Sequence, residues 1–413
     1  MSGDKKKHNS LKSLKQKNRS DVLDLLRNAA EPLTVAEIAS QTSLSKMTVH
    51  KIIEFYQEAG LICAAGKRDA GEDGGKRPTL LTINKDHRFI FALKIGEMEI
   101  VAALTDLKAN IILSENVGIN RDARLAEILQ RIRELFYRLI GKLNLGAEEC
   151  AGIVVGCHGI TNTTDGIIVT SPHFASWGSN IPIRERVREL FTFPVSVYVD
   201  NWIRYFAYAE MKNDYYRDPN FIIIGTEVEG IAAGLVMNGR LISGANGLAG
   251  EVGHMIVDIH SDAVCVCGGF GCLEVAISLR RMEKKAWDKR NDWPESSIYG
   301  GHSHERRPVF SQVFAAANRG DSFACTLLDE VIDYLALGIN NLTQSCDPGL
   351  IIIQGEYAKA GQYFIENLRV RLRGLSLLRM NKGIRVEYSE HGDEWTLVGA
   401  AKFVIDRYFA ALR

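Results

Sequence analysis

The 413-residue chain reads as an α/β protein with a winged helix-turn-helix at its amino end and a two-lobed body behind it. Three observations predict this. Residues 19–85 carry three helical patterns followed by two short apolar runs that flank a basic, glycine-rich loop. From Phe89 onward, short apolar strands alternate with segments of helical period, the pattern of sheets covered by helices. Hydrophobic residues make up 46% and charged residues 24%, the balance of a globular chain long enough for two or three cores.

In the head, Val22, Leu25 and Leu26 share one helical face. After Glu31-Pro32-Leu33, Thr34 caps a second helix, and Glu37, three places on, completes a capping box. Ser43-Leu44-Ser45 forms the turn, Ser45 caps a third helix running to Ala59, and Gly60 stops it. Val49, Ile52, Ile53 and Tyr56 face inward, which leaves Lys46, Thr48, His50 and Lys51 near the exposed amino end. Leu61–Cys63 and Thr79–Ile83 are strands around a wing that carries Lys76 and Arg77. A helix placed this way enters a major groove with its first side chains against base edges, while a basic wing reaches phosphates or the minor groove. The candidate DNA contacts are therefore Ser45, Lys46, Thr48, His50, Lys51, Lys76 and Arg77, and the expected partner is a double-stranded DNA operator. Two-fold operators call for a homodimer or homotetramer. The other reading of the head is a three-helix protein-interaction module.

Net charge is zero, yet residues 1–85 hold 15 of the 50 basic and only 10 of the 50 acidic side chains. A basic head on an acidic body points to a polyanionic partner. Residues 1–18 read as a basic disordered tail and residues 19–85 as the winged helix-turn-helix. No apolar run is long enough to span a bilayer, the basic start lacks the apolar stretch of a secretory signal, and the eight cysteines read as thiols and metal ligands. The expected compartment is the cytoplasm, with no membrane partner.

In the body, Ile90–Leu104 reads as a hairpin-like strand pair and Leu125–Leu143 as a helix. Gly152–Gly156, Pro194–Val199, Phe221–Ile224 and Leu350–Ile353 read as strands, and Leu327–Leu342 as a helix. The expected division is a first lobe over 86–200 and a second over 201–413, with a C-terminal helix that can return to the first lobe. Ligands belong between the lobes, at the carboxyl ends of the strands. Asp288–Pro308 reads as a surface excursion in which His302 and His304 are solvated.

The most specific stretch is Gly250-Glu251-Val252-Gly253-His254, followed by Cys265, Cys267 and Cys272 and then Leu273-Glu274. Three cysteines and one histidine complete a tetrahedral Zn²⁺ shell with no open position, so one structural zinc per chain is expected on His254, Cys265, Cys267 and Cys272. The order GEVGH…CxCGGxGCxE resembles the signature of the ROK family, which contains sugar kinases and sugar-responsive repressors of xylose-repressor-like and N-acetylglucosamine-repressor-like type. The resemblance runs from near residue 15 to the end of the chain and implies an actin-like, hexokinase-like ATPase fold for the body. It also implies sugar contacts from Asn201, Glu251, His254 and Glu274, with His254 serving both metal and ligand. Carboxylates and amides suit this role because sugar hydroxyls both donate and accept. His158 and His173 stand in two further pocket loops in place of more usual residues, and Trp202 can offer a flat face to a pyranose ring.

The phosphate machinery departs from the family's kinases. Their first turn, Asp-x-Gly-Gly-Thr-Lys, is here Lys94-Ile95-Gly96-Glu97-Met98-Glu99. Their second, Gly-Thr-Gly-x-Gly, is Gly225-Thr226-Glu227-Val228-Glu229-Gly230, and the adenosine turn is Gln354-Gly355-Glu356. A glutamate about 4 Å from a phosphate charge costs about 4 kcal/mol at an effective dielectric near 20 unless its side chain turns to solvent. The kinases' Asn-Asp pair is Asn201-Trp202, and an indole cannot take a proton from a sugar hydroxyl, a loss worth about 10²–10⁴-fold. No catalytic residue and no bound ATP are expected. The chain therefore reads as a sugar-responsive DNA-binding regulator, a repressor, with a non-catalytic sugar-kinase-like effector domain. The rival readings are a regulator controlled by a protein partner, its sugar pocket vestigial, and an ATP-dependent sugar kinase using displaced residues.

Overall fold

The structure, a computed structural model, describes residues 3–68, 77–120, 122–213, 215–216, 218–228, 230–299, 306–375 and 384–412. The head consists of α1 (Gly3–Asn28), α2 (Val35–Thr42), α3 (Lys46–Glu58), β1 (Ile62–Lys67) and β2 (Thr79–Ile83). α1 begins at Gly3, so the stretch 1–18 expected as a disordered tail is helical over its described part. Thr34 and Glu37 make the expected reciprocal cap: Thr34 Oγ1 accepts from the Glu37 amide at 3.3 Å, and Glu37 Oε2 accepts from the Thr34 amide at 2.8 Å. Ser43, at φ 57, then bends the chain between α2 and α3. Val22, Leu26, Ile38, Val49, Ile53 and Tyr56 close a small core over the antiparallel β1–β2 wing.

The first lobe contains β3 (Phe89–Ile95), β4 (Glu99–Thr105), β5 (Ile111–Gly118), α4 (Leu125–Leu143), β6 (Cys150–Cys157), β7 (Ile160–Asn162), β8 (Ile167–Thr170), α5 (Ile183–Arg188) and β9 (Val197–Asn201). The second contains α6 (Trp202–Met211), β10 (Phe221–Thr226), β11 (Ile231–Met237), β12 (Arg240–Leu241), α7 (Leu273–Ala276), α8 (Leu279–Asp288), α9 (Phe310–Asn318) and α10 (Ser322–Cys346). It continues through β13 (Leu350–Gly355), α11 (Gln362–Gly374), β14 (Arg385–Tyr388) and α12 (Trp395–Ala411).

The two five-stranded sheets run β5-β4-β3-β6-β9 and β12-β11-β10-β13-β14. Numbered in chain order within its own sheet, each has the order third, second, first, fourth, fifth. β3, β6 and β9 are mutually parallel, as are β10, β13 and β14, while the hairpin strands run antiparallel. β3 and β10 are buried along their whole lengths, which is why they read as continuous apolar runs. In each sheet the order reverses beside the first strand, and the crevice at that reversal is where a ligand fits.

α12 comes from the end of the chain and packs across α6 and onto β3 and β6 of the first lobe. Its inner face also joins the head: Phe409 and Ile405 share one core with Val22, Leu26 and Tyr56, and Asp406 pairs with Arg27 of α1. Helix–helix contact is closest at Gly399, where a Cβ would stand 1.8 Å from the Tyr205 carbonyl oxygen of α6. Gly399→Ala is therefore expected to destabilise the fold by about 1–3 kcal/mol, read as a lower midpoint in urea unfolding. An unchanged midpoint would show that α6 and α12 can separate freely.

Candidate functional site

At the mouth between the lobes lies a cavity of about 300 Å³ lined by His158, Asn201, Trp202, Glu251, His254 and Glu274, among others. β9 delivers Asn201 and Trp202 at its carboxyl end, where α6 begins. The Asn201 side chain caps that helix, accepting from the Ile203 amide at 3.2 Å, and its amide donates to the Gly159 carbonyl at 3.2 Å. Much of its hydrogen-bonding capacity thus holds the wall in place. Trp202 is buried between the lobes: Lys94 Nζ of the first lobe lies 4.1 Å from its ring, and a Cβ on Gly225 of the second would meet the indole at 2.8 Å. Glu274 Oε2 accepts from the Ile231 amide at 3.4 Å. Burial, and then the neighbouring Glu274, push the Glu251 carboxyl up to about 7. His173 belongs to the short 3₁₀ segment Pro172–Trp177, and its side chain lies outside the described residues.

Next to this cavity is a larger cleft of about 780 Å³ at the turns that resemble the kinases' phosphate loops. Lys94 at the end of β3 places Nζ 3.0 Å from Glu227 Oε1 and 4.1 Å from the centre of the Trp202 ring. His158 Nδ1 stands 3.3 Å from the other Glu227 oxygen. Glu97, from the first-lobe turn, lies 3.6 Å from Arg280 of α8 in the second lobe. Glu227 was expected to escape repulsion only by turning to solvent; instead it points inward and is compensated by Lys94. Glu229 lies outside the described residues. Glu97 and Glu227, at positions that resemble glycines of the kinases' phosphate turns, thus make two ion pairs across the lobes. Arg280 carried no sequence signal, because its partner is remote in the chain. The remaining lining of this cleft includes Glu99, Glu115, Glu356, Asp393 and Glu394, an acidic surface.

The ligand atoms of His254, Cys265, Cys267 and Cys272 all lie within 4.8 Å of one another. Cys265 Sγ is 3.5 Å from His254 Nδ1, and Cys267 Sγ is 3.7 Å from Cys272 Sγ. Tetrahedral bonds of about 2.3 Å to sulfur and about 2.0–2.1 Å to nitrogen put neighbouring ligands about 3.6–3.8 Å apart, so the four atoms fit a single ion. His254 and Cys267 also line the 300 Å³ cavity, so the metal-binding loop forms one wall of the pocket.

On the head, Ser45 Oγ accepts from the Thr48 amide at 3.1 Å and lies 2.9 Å from Thr48 Oγ1. Ser45 thus acts as a helix cap, and the exposed set at the start of α3 is Lys46, Met47, His50 and Lys51. Met47 is 71% exposed, an apolar side chain among polar ones that carries no sequence signal of a surface position. Lys15, Asn18 and Arg19 of α1 line a groove with Thr48 and Lys51, extending the basic surface beyond α3. Arg77 is exposed at the wing, and Lys76 lies outside the described residues.

The Lys94–Glu227 pair invites a direct measurement. In a double-mutant cycle of Lys94→Met and Glu227→Gln, unfolding free energies should show a coupling of about 0.5–3 kcal/mol. Strict additivity would mean that the two charges do not hold each other.

Residues 90–407 match the ROK family and residues 20–62 the IclR helix-turn-helix domain. The chain is 26% identical over 400 residues to the xylose repressor of Caldicellulosiruptor bescii, covering 95% of this chain and 96% of that protein. It is also 26% identical over 320 residues to a glucokinase of Halalkalibacterium halodurans, an overlap of 77% of this chain and 95% of the kinase. Its fold is similar to the crystal structure of a ROK family transcriptional regulator, a homolog of E. coli MLC protein, with a TM-score of 0.78 at 22% identity over 96% of each chain. With its two-lobed body matched over 318 residues and a helix-turn-helix joined ahead of it, the chain belongs to the ROK family.

Proposed function

We propose that this chain is a sugar-responsive DNA-binding transcriptional repressor whose kinase-like body senses and does not catalyse. The observation that carries the reading is the pair of cross-lobe ion pairs, Lys94–Glu227 and Glu97–Arg280, standing where a kinase needs open amide cradles for ATP. Trp202 occupies the place of the base, and the acidic lining of the large cleft opposes phosphate. Its similarity to a xylose repressor over nearly the whole chain, head included, supports the same reading.

In this mechanism a sugar enters the 300 Å³ cavity, with hydroxyls meeting Glu251, Glu274, His254 and Asn201. His173 is retained as a further candidate contact from the neighbouring loop. Sugar binding changes the balance at the Trp202 wedge and the cross-lobe pairs. α6 begins at that wedge and reaches Asp406, which accepts from Tyr208 of α6 and pairs with Arg27 of the head. A coupling of about 1–3 kcal/mol along this route suffices to switch operator affinity. Lys46, Thr48, His50 and Lys51 face the operator, with Lys76 and Arg77 on the wing; two heads in a homodimer or homotetramer read a two-fold site. The working compartment is the cytoplasm. Among the described residues no helix is long and apolar enough to cross a membrane.

The test is operator binding by the purified full chain, titrated with pentoses and hexoses. One sugar should change operator affinity by about 5–150-fold, and Glu251→Ala or Glu274→Ala should remove that change. Lys46→Ala and His50→Ala should each weaken specific binding by about 1–3 kcal/mol. ATP-dependent formation of a sugar phosphate by the wild-type chain would overturn the reading. A normal response in both glutamate variants would transfer control to a protein partner.

The four-ligand cluster is proposed to hold one structural Zn²⁺, which would tie the Cys265–Cys272 loop to His254 and shape the pocket wall. Metal analysis should find about one zinc per chain, and Cys267→Ser should lose it and melt earlier, because metal binding is folding energy. Metal-free wild-type protein of unchanged melting temperature would reject the assignment.

A further inference from the structure

A second cavity, of about 570 Å³, lies against Tyr198 and Asp200 of β9, while Asn201 and Trp202 at the end of the same strand line the sugar pocket. Its charge is opposite to that of the large cleft. Arg184, Arg240 and Arg407 line it, and its one carboxylate, Asp200, is already paired with Arg204 Nε at 2.9 Å. The other Arg204 nitrogens are occupied by the Ile242 and Ala249 carbonyls, both at 3.1 Å, and by Ser243 Oγ at 2.5 Å. Among the described residues none of the three lining arginines makes an ion pair, so the wall carries an uncompensated positive charge.

The arginines are also placed by the fold. Arg184 donates to the Thr164 and Thr163 carbonyls at 2.8 and 2.6 Å. It lies against Gly166, where a Cβ would meet its side chain at 2.5 Å, so its guanidinium is held in one orientation. Its Nε is buried and has no protein acceptor. Arg407 stacks 3.3 Å above the Phe403 ring, which fixes a side chain that would otherwise sample solvent. Arg240 projects from the first position of β12. Three arginines, from α5 of the first lobe and from β12 and α12 of the second, thus line one concavity together with Thr163, Thr164 and Ser243.

We infer that this cavity binds a small phosphorylated metabolite, its phosphomonoester held by Arg184, Arg240 and Arg407. Planar, always-charged guanidiniums suit a phosphate dianion, and hydroxyls suit the remainder of a polar ligand. The concavity is of small-ligand size, which favours a metabolite over a DNA strand. Such a ligand would join both lobes to α12 beside Asp406, the residue that holds the head through Arg27. Binding itself does not depend on the regulatory reading above, so each can fail alone.

The experiment is calorimetric titration of the full chain with glucose 6-phosphate and with inorganic phosphate, glucose serving as the neutral control. Glucose 6-phosphate should bind, and Arg240→Gln and Arg407→Gln, both at exposed positions, should each weaken it about tenfold or more while melting like the wild type. Binding of inorganic phosphate with the same arginine dependence would identify the phosphate group as the recognised part. No heat from either phosphate overturns the inference. So does binding that is lost in Glu251→Ala and kept in Arg240→Gln, which would put the ligand in the sugar pocket. If the arginine variants flatten only the salt dependence of operator binding, the cavity serves DNA and the inference fails.

Discussion

The contact between Lys94 and Glu227 is the constraint on which the cleft is organised. It ties the end of β3 in the first lobe to the turn after β10 in the second, with the Trp202 ring packed beside the ammonium. Either charge alone in that half-buried place would be costly, and together they compensate. At the turns that resemble the kinases' phosphate loops, Lys94 and Glu227 thus hold each other, with His158 Nδ1 3.3 Å from the second Glu227 oxygen. The two lobes are thereby joined across the cleft by side chains of the chain itself.

The cavity beside that contact is bounded by the loop of candidate metal ligands and by the start of α6. The loop that carries the four candidate ligands supplies His254 and Cys267 to one wall. Trp202, the first residue of α6, and Asn201, which caps that helix, supply another. α6 packs along α12 in turn.

α12 then links body and head in a single hydrophobic core. Ile90 and Val154 of the first lobe, Phe409 of α12 and Val22, Leu26 and Tyr56 of the head all belong to it. At its edge Asp406 collects Arg27, Tyr208 and Lys212, so one carboxylate bridges α1, α6 and α12. Such a core is close-packed and has few intermediate arrangements, which suits a switch better than a graded hinge.

The sequence by itself determined what is settled over short stretches of chain. The Thr34–Glu37 box and the Ser45 cap depend on residue chemistry at fixed small spacings, as does the clustering of His254, Cys265, Cys267 and Cys272. The apolar runs of β3, β10 and β13 were legible because burial on both faces excludes polar side chains. β5 escaped although it alternates strictly, and β11 escaped because its alanines and glycine are small to admit α6: a Cβ on Gly234 would meet Ala207 at 2.4 Å. Only the tertiary structure decided the ion pairs. Lys94 and Glu227 are 133 residues apart, and Arg27 and Asp406 are 379 apart. No local spacing encodes such partners; they meet because two copies of one strand order face each other and the last helix returns to the first lobe. The reason is physical: helical and strand periods specify which face of an element is buried, whereas the element it is buried against is chosen by the packing of the whole chain.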